Sequence, residues 1–470
     1  MADGVMAACE SPVDAGPVER GPGWAWVGLV VVLAVIVAIP YAAAGPNFIL
    51  DDWYALRNAH FDGAFAAAGA DQARARPGAW LIYALEFGVL GRHPMLIYVV
   101  QAALNVGAAV LLFLVVRRLA GSRLALSVAG LWVLLPNHGS LRVWASTMNI
   151  VVALVLLLLG CLLLTRPPTT AVSAAVALTF GASVLSYEAT LPAALIALWA
   201  IPHATRRPRD LRTVATPLAA PLAALAASAV WIILNWHPAK RVGAWADVGD
   251  VLPAHFGWGI ANAPAASVLL VGALVAISVS VVRTSFPSFR SRRTQADGLI
   301  IAGLAIIVVG TVPFLRYFYA PLGAGDRVNV VASVGAAVTW TGIGLVLWEV
   351  RRSVAVVLGV TFAANLAFVG VERDLRYARA GDDVLLTLEL LDESLPSPEG
   401  PIVIGPVPLT EGNVVGLLDA SNVDGALQLH RRTRLVSGYV TGDPESFLRQ
   451  PPHLRFDQVA ALRGGPGVRR

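Results

Sequence analysis

Charge is what this sequence has least of. Only 14% of its 470 residues are Asp, Glu, Lys or Arg. Soluble domains carry roughly 25%, so there are too few here to coat a globular surface. Lysine is nearly missing: of 35 basic residues only Lys240 is not arginine, which reads as the coding bias of a GC-rich bacterial genome and not as function. Cysteine is confined to Cys9, in the N-terminal tail, and Cys161, inside an apolar run, which excludes a disulfide framework. Met6-Ala7-Ala8-Cys9 has a faint look of a lipoprotein cleavage site, but it precedes the apolar segment where such a site follows it. The first apolar stretch, about Trp24 to Ala44, is long and has no basic lead-in beyond Arg20, which argues against a signal peptide. No internal repeat of fixed period is present.

What is there in abundance is apolar sequence. Hydrophobic residues make up 57% of the chain and mean hydropathy is +0.68. Runs near 20 residues recur from Gly23 to Val371 and are apolar all round. Most are long enough for a hydrocarbon core about 30 Å thick. The fold class expected is an all-α polytopic membrane protein, with spans near 24–44, 93–116, 124–137, 143–164, 169–187, 189–203, 213–235, 263–282, 298–315, 328–349 and 353–371, about eleven in all. The net charge of +5 does not point to nucleic acid, because the arginines sit in short clusters between these runs. Arg117, Arg118 and Arg123 share one side with Arg206, Arg207, Arg209 and Arg212, then with Arg283, Arg290, Arg292, Arg293, Arg351 and Arg352. By the positive-inside rule that side is cytoplasmic.

Residues 79–91 are apolar too, but at about 1.5 Å per residue they reach only about 20 Å. If they crossed, every later arginine cluster would flip outward. They are expected to lie at the outer interface, with Trp80, Tyr83 and Phe87 as anchors. The expected division is a cytoplasmic tail (1–23), a membrane domain (24–371) with a long outer loop (45–92), and an extracytoplasmic soluble domain (372–470). In that last part, 375–394 reads as a helix, while Ile402-Val-Ile-Gly and Arg434-Leu-Val-Ser-Gly-Tyr-Val read as strands of a small α/β domain. Gly464 to Arg470 is expected to be disordered.

The strongest local signal is Asn47-Phe-Ile-Leu-Asp51-Asp52-Trp53, directly after the first span. A carboxylate at a bilayer midplane costs roughly 2.5–3.5 kcal/mol, so two adjacent ones mark the outer boundary. They serve either as chemistry or as a helix N-cap, and position alone does not choose. Other polar residues map to the same face: Arg76-Pro77, Arg92-His93-Pro94, Asn137-His138-Gly-Ser-Leu-Arg142-Val-Trp144, Ser186-Tyr187-Glu188, Lys240-Arg241, Arg316 and Asp326-Arg327. Each alone reads as an ordinary loop charge. Glu188 stands apart because it lies between two apolar runs with almost no loop to solvate it.

At these residues the chain resembles the C-type (GT-C fold) membrane glycosyltransferases, the superfamily of the dolichyl-phosphate-mannose protein mannosyltransferases. The resemblance rests on Asp51-Asp52 in the first outer loop, Arg76-Pro77 with the aromatic helix and Gly91-Arg-His-Pro94, Pro136-Asn-His138 running into Arg142-Val-Trp144, and Leu185-Ser-Tyr-Glu188. Asp326-Arg327 before Val-Asn-Val-Val-Ala-Ser-Val-Gly is similar to the family's late arginine motif. The pattern spans about residues 24–371. It departs from relatives at Tyr187, where they often carry lysine, and at Val328-Asn329, where they often carry aromatics. The resemblance implies a hexosyl- or pentosyltransferase that moves a sugar from a polyprenyl-phosphate donor to a protein, lipid or glycan acceptor at the outer face, with inversion. It makes Asp51 the candidate base and Asp52 its partner or an acceptor-orienting group. Arg76, Arg316 and Arg327 are candidates for the donor phosphate, with Arg142 and Glu188 also in the substrate site. Two carboxylates also suit a divalent cation, although no dedicated cage is visible. The rival classes are a transporter or lipid flippase, whose polar residues would gather at the midplane, and a non-catalytic membrane scaffold.

Overall fold

The computed structural model describes residues 23–205, 211–235, 290–314, 323–394, 400–404, 410–411, 414–415, 420–434 and 436–440. The expected span at 263–282, Cys9, Arg206, Arg207, Arg209, Lys240-Arg241, Arg283, Arg316 and the 464–470 tail lie outside the described residues.

Most described residues are helical, and seven helices are long and apolar enough to cross a membrane: Gly23–Ala44, Pro94–Ala120, Ala145–Leu164, Leu218–Asn235, Gln295–Phe314, Ala332–Val350 and Arg352–Glu389. The chain is a membrane protein. Three further expected spans form shorter helices, Ser122–Leu134, Thr170–Ser186 and Leu191–Thr205. Helix Arg290–Thr311 packs along Ala332–Val350 through small residues, Gly303 and Gly310 against Gly335 and its neighbours, the kind of contact that brings apolar helices together where no hydrophobic drive exists.

The last long helix differs from expectation. A span ending at 371 and a separate helix from 375 are one element, Arg352–Ser394, of 43 residues. At 1.5 Å per residue it is about 65 Å long, twice the hydrocarbon core. Nothing between Val371 and Ala380 breaks a helix, and Arg376 Nε donates to Glu372 Oε1 at 3.0 Å, four residues back. Its distal half therefore carries Arg373, Asp374, Tyr377 and Leu388, all buried, out of the apolar zone and over the loops.

The 45–92 loop is structured, with helices Asp51–Asp62, Ala70–Ala75 and Pro77–Tyr83, the last continuing as a wider π-helical turn, Ala84–Leu90. Of the three aromatics expected to anchor the 79–91 segment, only Trp80 is partly exposed. Tyr83 and Phe87 turn into the core beneath the Asp51 helix, while Leu81, Leu85 and Val89 form an exposed stripe at spacing four. Beyond residue 394, strands Gly400–Ile404 and Val436–Val440 pair in parallel, Gly400 opposite Val436. Helix Ala420–Arg431 lies between them in sequence and packs on the Asp51 helix.

Candidate functional site

The site begins at a strained residue. Leu50 has φ 48° and ψ −125°, a backbone conformation that costs a side-chain-bearing residue about 1–3 kcal/mol unless its surroundings hold it. Leu50 is buried, and Asp52 reaches back across it, its Oδ2 accepting the Ile49 N–H at 3.0 Å. The other oxygen, Oδ1, accepts the Ser146 N–H at 2.8 Å and the Ser146 hydroxyl. Asp52 is wholly buried, and burial pushes its carboxyl up to about 7, with the Ser146 and Ile49 hydrogen bonds opposing. Asp51, one residue earlier, is exposed and receives the Asn422 amide N–H at 3.4 Å. Two adjacent carboxylates thus have opposite environments. One is a buried tie and the other is open to solvent.

The segment 136–147 is the hub beneath them. It is irregular backbone, built of single helical turns, and buried, so its polar groups need partners other than water. Gln101 Nε2 donates to the Leu141 and Trp144 carbonyls at 3.0 and 2.9 Å, and Asn105 donates to Leu141 at 2.9 Å. Tyr41 caps the Val143 carbonyl and Tyr83 the Ser146 carbonyl. From the late motif, Asp326 accepts the Ser140 N–H through both oxygens, at 3.1 and 3.2 Å. Burial raises its carboxyl to about 6, opposed first by the Ser140 hydrogen bonds. His138 stacks on Trp132, its ring held neutral by burial and by the Arg142 charge.

The arginines divide by partner. Arg76 caps the helix that Pro77 opens, and its Nε donates to Glu188 Oε2 at 2.6 Å while a terminal nitrogen bonds Glu188 Oε1. Gly78 makes that approach possible, because a Cβ there would fall 2.9 Å from the Ser186 backbone nitrogen. Arg142 is engaged inward, with Asp374 at 3.1 Å and the Val133 carbonyl at 3.1 Å. Arg327 lies over the Trp144 ring, 5.3 Å from its centre, half-buried and with no ion pair among the described residues.

No family model and no curated protein sequence matches the chain. Among solved structures, it is similar to ArnT from Cupriavidus metallidurans bound to undecaprenyl phosphate. There the identity is 14% and the TM-score 0.46, over 87% of this chain and 85% of that one. It is also similar to the archaeal oligosaccharyltransferase AglB from Archaeoglobus fulgidus in complex with an inhibitory peptide and a dolichol-phosphate. In that case the identity is 15% and the TM-score 0.38, over 87% of this chain and 64% of that one.

Three side chains that the sequence did not assign to the site belong to the same neighbourhood. Tyr83 sits where the charges of Asp51, Glu86, Arg327 and Asp52 all act on its phenol, which burial pushes up. Glu86, on the π-helical turn, is buried, and among the described residues neither of its oxygens has a hydrogen-bond partner. Burial first, then the Asp52 charge, hold its carboxyl well above the usual range. The signal was available: Glu86 is the lone acid inside the apolar run 79–91. Asp374 stands three residues past the expected end of the last span, on the same continuous helix. Among the described residues no three His, Cys, Asp or Glu side chains converge to hold a metal ion, and no step below is routed through one.

Proposed function

We propose that this chain transfers a sugar from a polyprenyl-phosphate carrier to an acceptor hydroxyl or amide at the outer face of the membrane, with inversion at the anomeric carbon. The observation that carries this reading is the split between the two aspartates, with an accessible Asp51 held over a buried Asp52 and a guanidinium unpaired among the described residues, Arg327, in the same neighbourhood. The motif resemblance around Asp51, Arg76, Pro136 and Asp326 supplies the reaction class. In the proposed topology the seven long spans, the three shorter helices and the 263–282 run make eleven crossings, with the N-terminus cytoplasmic. The strands and helix beyond residue 394 then form an extracytoplasmic α/β domain.

In the step itself, the acceptor heteroatom attacks the anomeric carbon as its proton passes to an Asp51 oxygen. The bond from that carbon to the phosphate oxygen breaks, and its electron pair leaves with polyprenyl phosphate. Arg327 stabilises the charge that builds there, its flat face braced by Trp144. The prenyl tail stays in lipid. In this reading the Arg76–Glu188 pair fixes the wall of the site, and Arg142 with Asp374 fixes its floor. Arg316 remains a second phosphate candidate.

The test is direct. Purified protein is incubated with a panel of polyprenyl-phosphate hexoses and pentoses, with a mixed lipid, glycan and peptide acceptor pool, and release of polyprenyl phosphate is followed. Release with at least one donor is expected. No release with any donor, together with transbilayer movement of the intact donor in vesicles, would favour a flippase instead.

A further inference from the structure

Helix Ala420–Arg431 comes from the far end of the sequence, yet it lies flush along the Asp51 helix. Val423, Ala426 and Leu427 share a buried cluster with Trp53 and Leu56. Contact is closest at Gly425, where a Cβ would fall 2.6 Å from the carbonyl carbon and oxygen of Trp53. A larger residue would push the two backbones apart. Polar ties fix the register, since Arg57 Nε donates to Gln428 Oε1 at 2.8 Å and Arg434 pairs with Asp62. In that register Asn422, only 1% exposed, places its amide nitrogen 3.4 Å from Asp51 Oδ1.

We propose that Asn422 is a positioning residue for Asp51: its amide holds one oxygen of the carboxylate and so orients the group that faces the acceptor. This rests on the reading of Asp51 as the base. A donor that engages one carboxylate oxygen restrains the side chain, and an apolar residue in its place releases it. Ionisable groups sharing this neighbourhood are Asp52 on the same helix, Tyr83 of the Pro77 helix, and Arg327, whose charge also reaches Tyr83. Gly425 serves the same end by letting the helix seat closely.

The test uses the full chain in detergent micelles and needs no substrate. A water-soluble carbodiimide couples an amine to exposed Asp51, and mass spectrometry follows the labelling rate at one fixed pH. Relative to wild type, the rate should rise about threefold in Asn422→Ala, where the carboxylate oxygen is released. Gly425→Leu should reproduce the alanine rate, and Asn422→Ser, which keeps a donor, should restore most of the wild-type rate. Thermal unfolding checks that each variant is folded. Unchanged rates in folded Asn422→Ala and Gly425→Leu would overturn the proposal. Because labelling does not depend on transfer, that failure is distinct from failure of the transferase reading, which Asp51→Asn decides by activity.

Discussion

Arg76 and Glu188, 112 residues apart in sequence, meet in a two-pronged ion pair, with Arg76 Nε 2.6 Å from Glu188 Oε2 and a terminal nitrogen bonded to Oε1. The pair joins the Pro77 helix to the turn after Ser186, and the ring of Tyr187 lies 5.5 Å from the guanidinium. With side chains 24% and 26% exposed, its strength comes from geometry more than from burial.

The first prediction follows from that geometry. A double-mutant cycle of Arg76→Ala and Glu188→Ala, read by thermal unfolding in detergent, should give a coupling on the order of 1 kcal/mol. Arg76→Lys should recover little of the loss, because lysine keeps the charge and loses the planar fork. A coupling of zero would mean the pair does not hold the wall of the site.

The second prediction concerns Glu86. A carboxyl held above its unfolded value contributes stability that is complete below the ordinary carboxylate range and lost as pH rises through the raised value. Glu86→Gln removes that titration. The variant should match wild type near pH 4 and become the more stable of the two as pH rises above the ordinary carboxylate range, so the two melting-temperature profiles diverge upward in pH. Parallel profiles would show that the fold does not raise the Glu86 carboxyl.

The third prediction separates Arg327 from Arg142. Arg327→Lys should weaken use of the polyprenyl-phosphate donor by about tenfold, since bidentate geometry is lost while charge is kept. Arg142→Lys should instead lower the melting temperature, because Arg142 holds Asp374 and the Val133 carbonyl. Donor kinetics that are unaltered in Arg327→Lys would remove it from the phosphate site.

Much of the architecture was legible because apolar length is a direct signal. Helices Gly23–Ala44, Pro94–Ala120 and Ala332–Val350 stand within a few residues of the runs that announced them. The end of the last helix was not legible, because Glu372-Arg373-Asp374 interrupts the apolar run and not the helix, which continues to Ser394. Asp51-Asp52 was visible as a pair, but sequence could not say which of the two faces water. That depends on Ser146, 94 residues away, whose backbone and hydroxyl claim Asp52. Arg76 and Glu188 were each visible and their union was not, since nothing in spacing brings two distant loops together. Asn422 carried no signal at all. It matters only because Gly425 lets its helix lie against Trp53.

The transfer rate of Asp51→Asn, measured beside Asp52→Asn with melting temperatures for both, tests the central claim most directly. Asp52 accepts three hydrogen bonds in a dry site. An amide there sets its own donors against protein donors, so Asp52→Asn should melt at a lower temperature. Asp51 is exposed and opens its helix one residue after the Leu50 cap, so asparagine there leaves the fold intact. Asp51→Asn should therefore melt as wild type does and still bind the donor, yet transfer sugar about 10²–10⁴-fold more slowly. A folded Asp51→Asn variant that transfers at the wild-type rate would contradict the account.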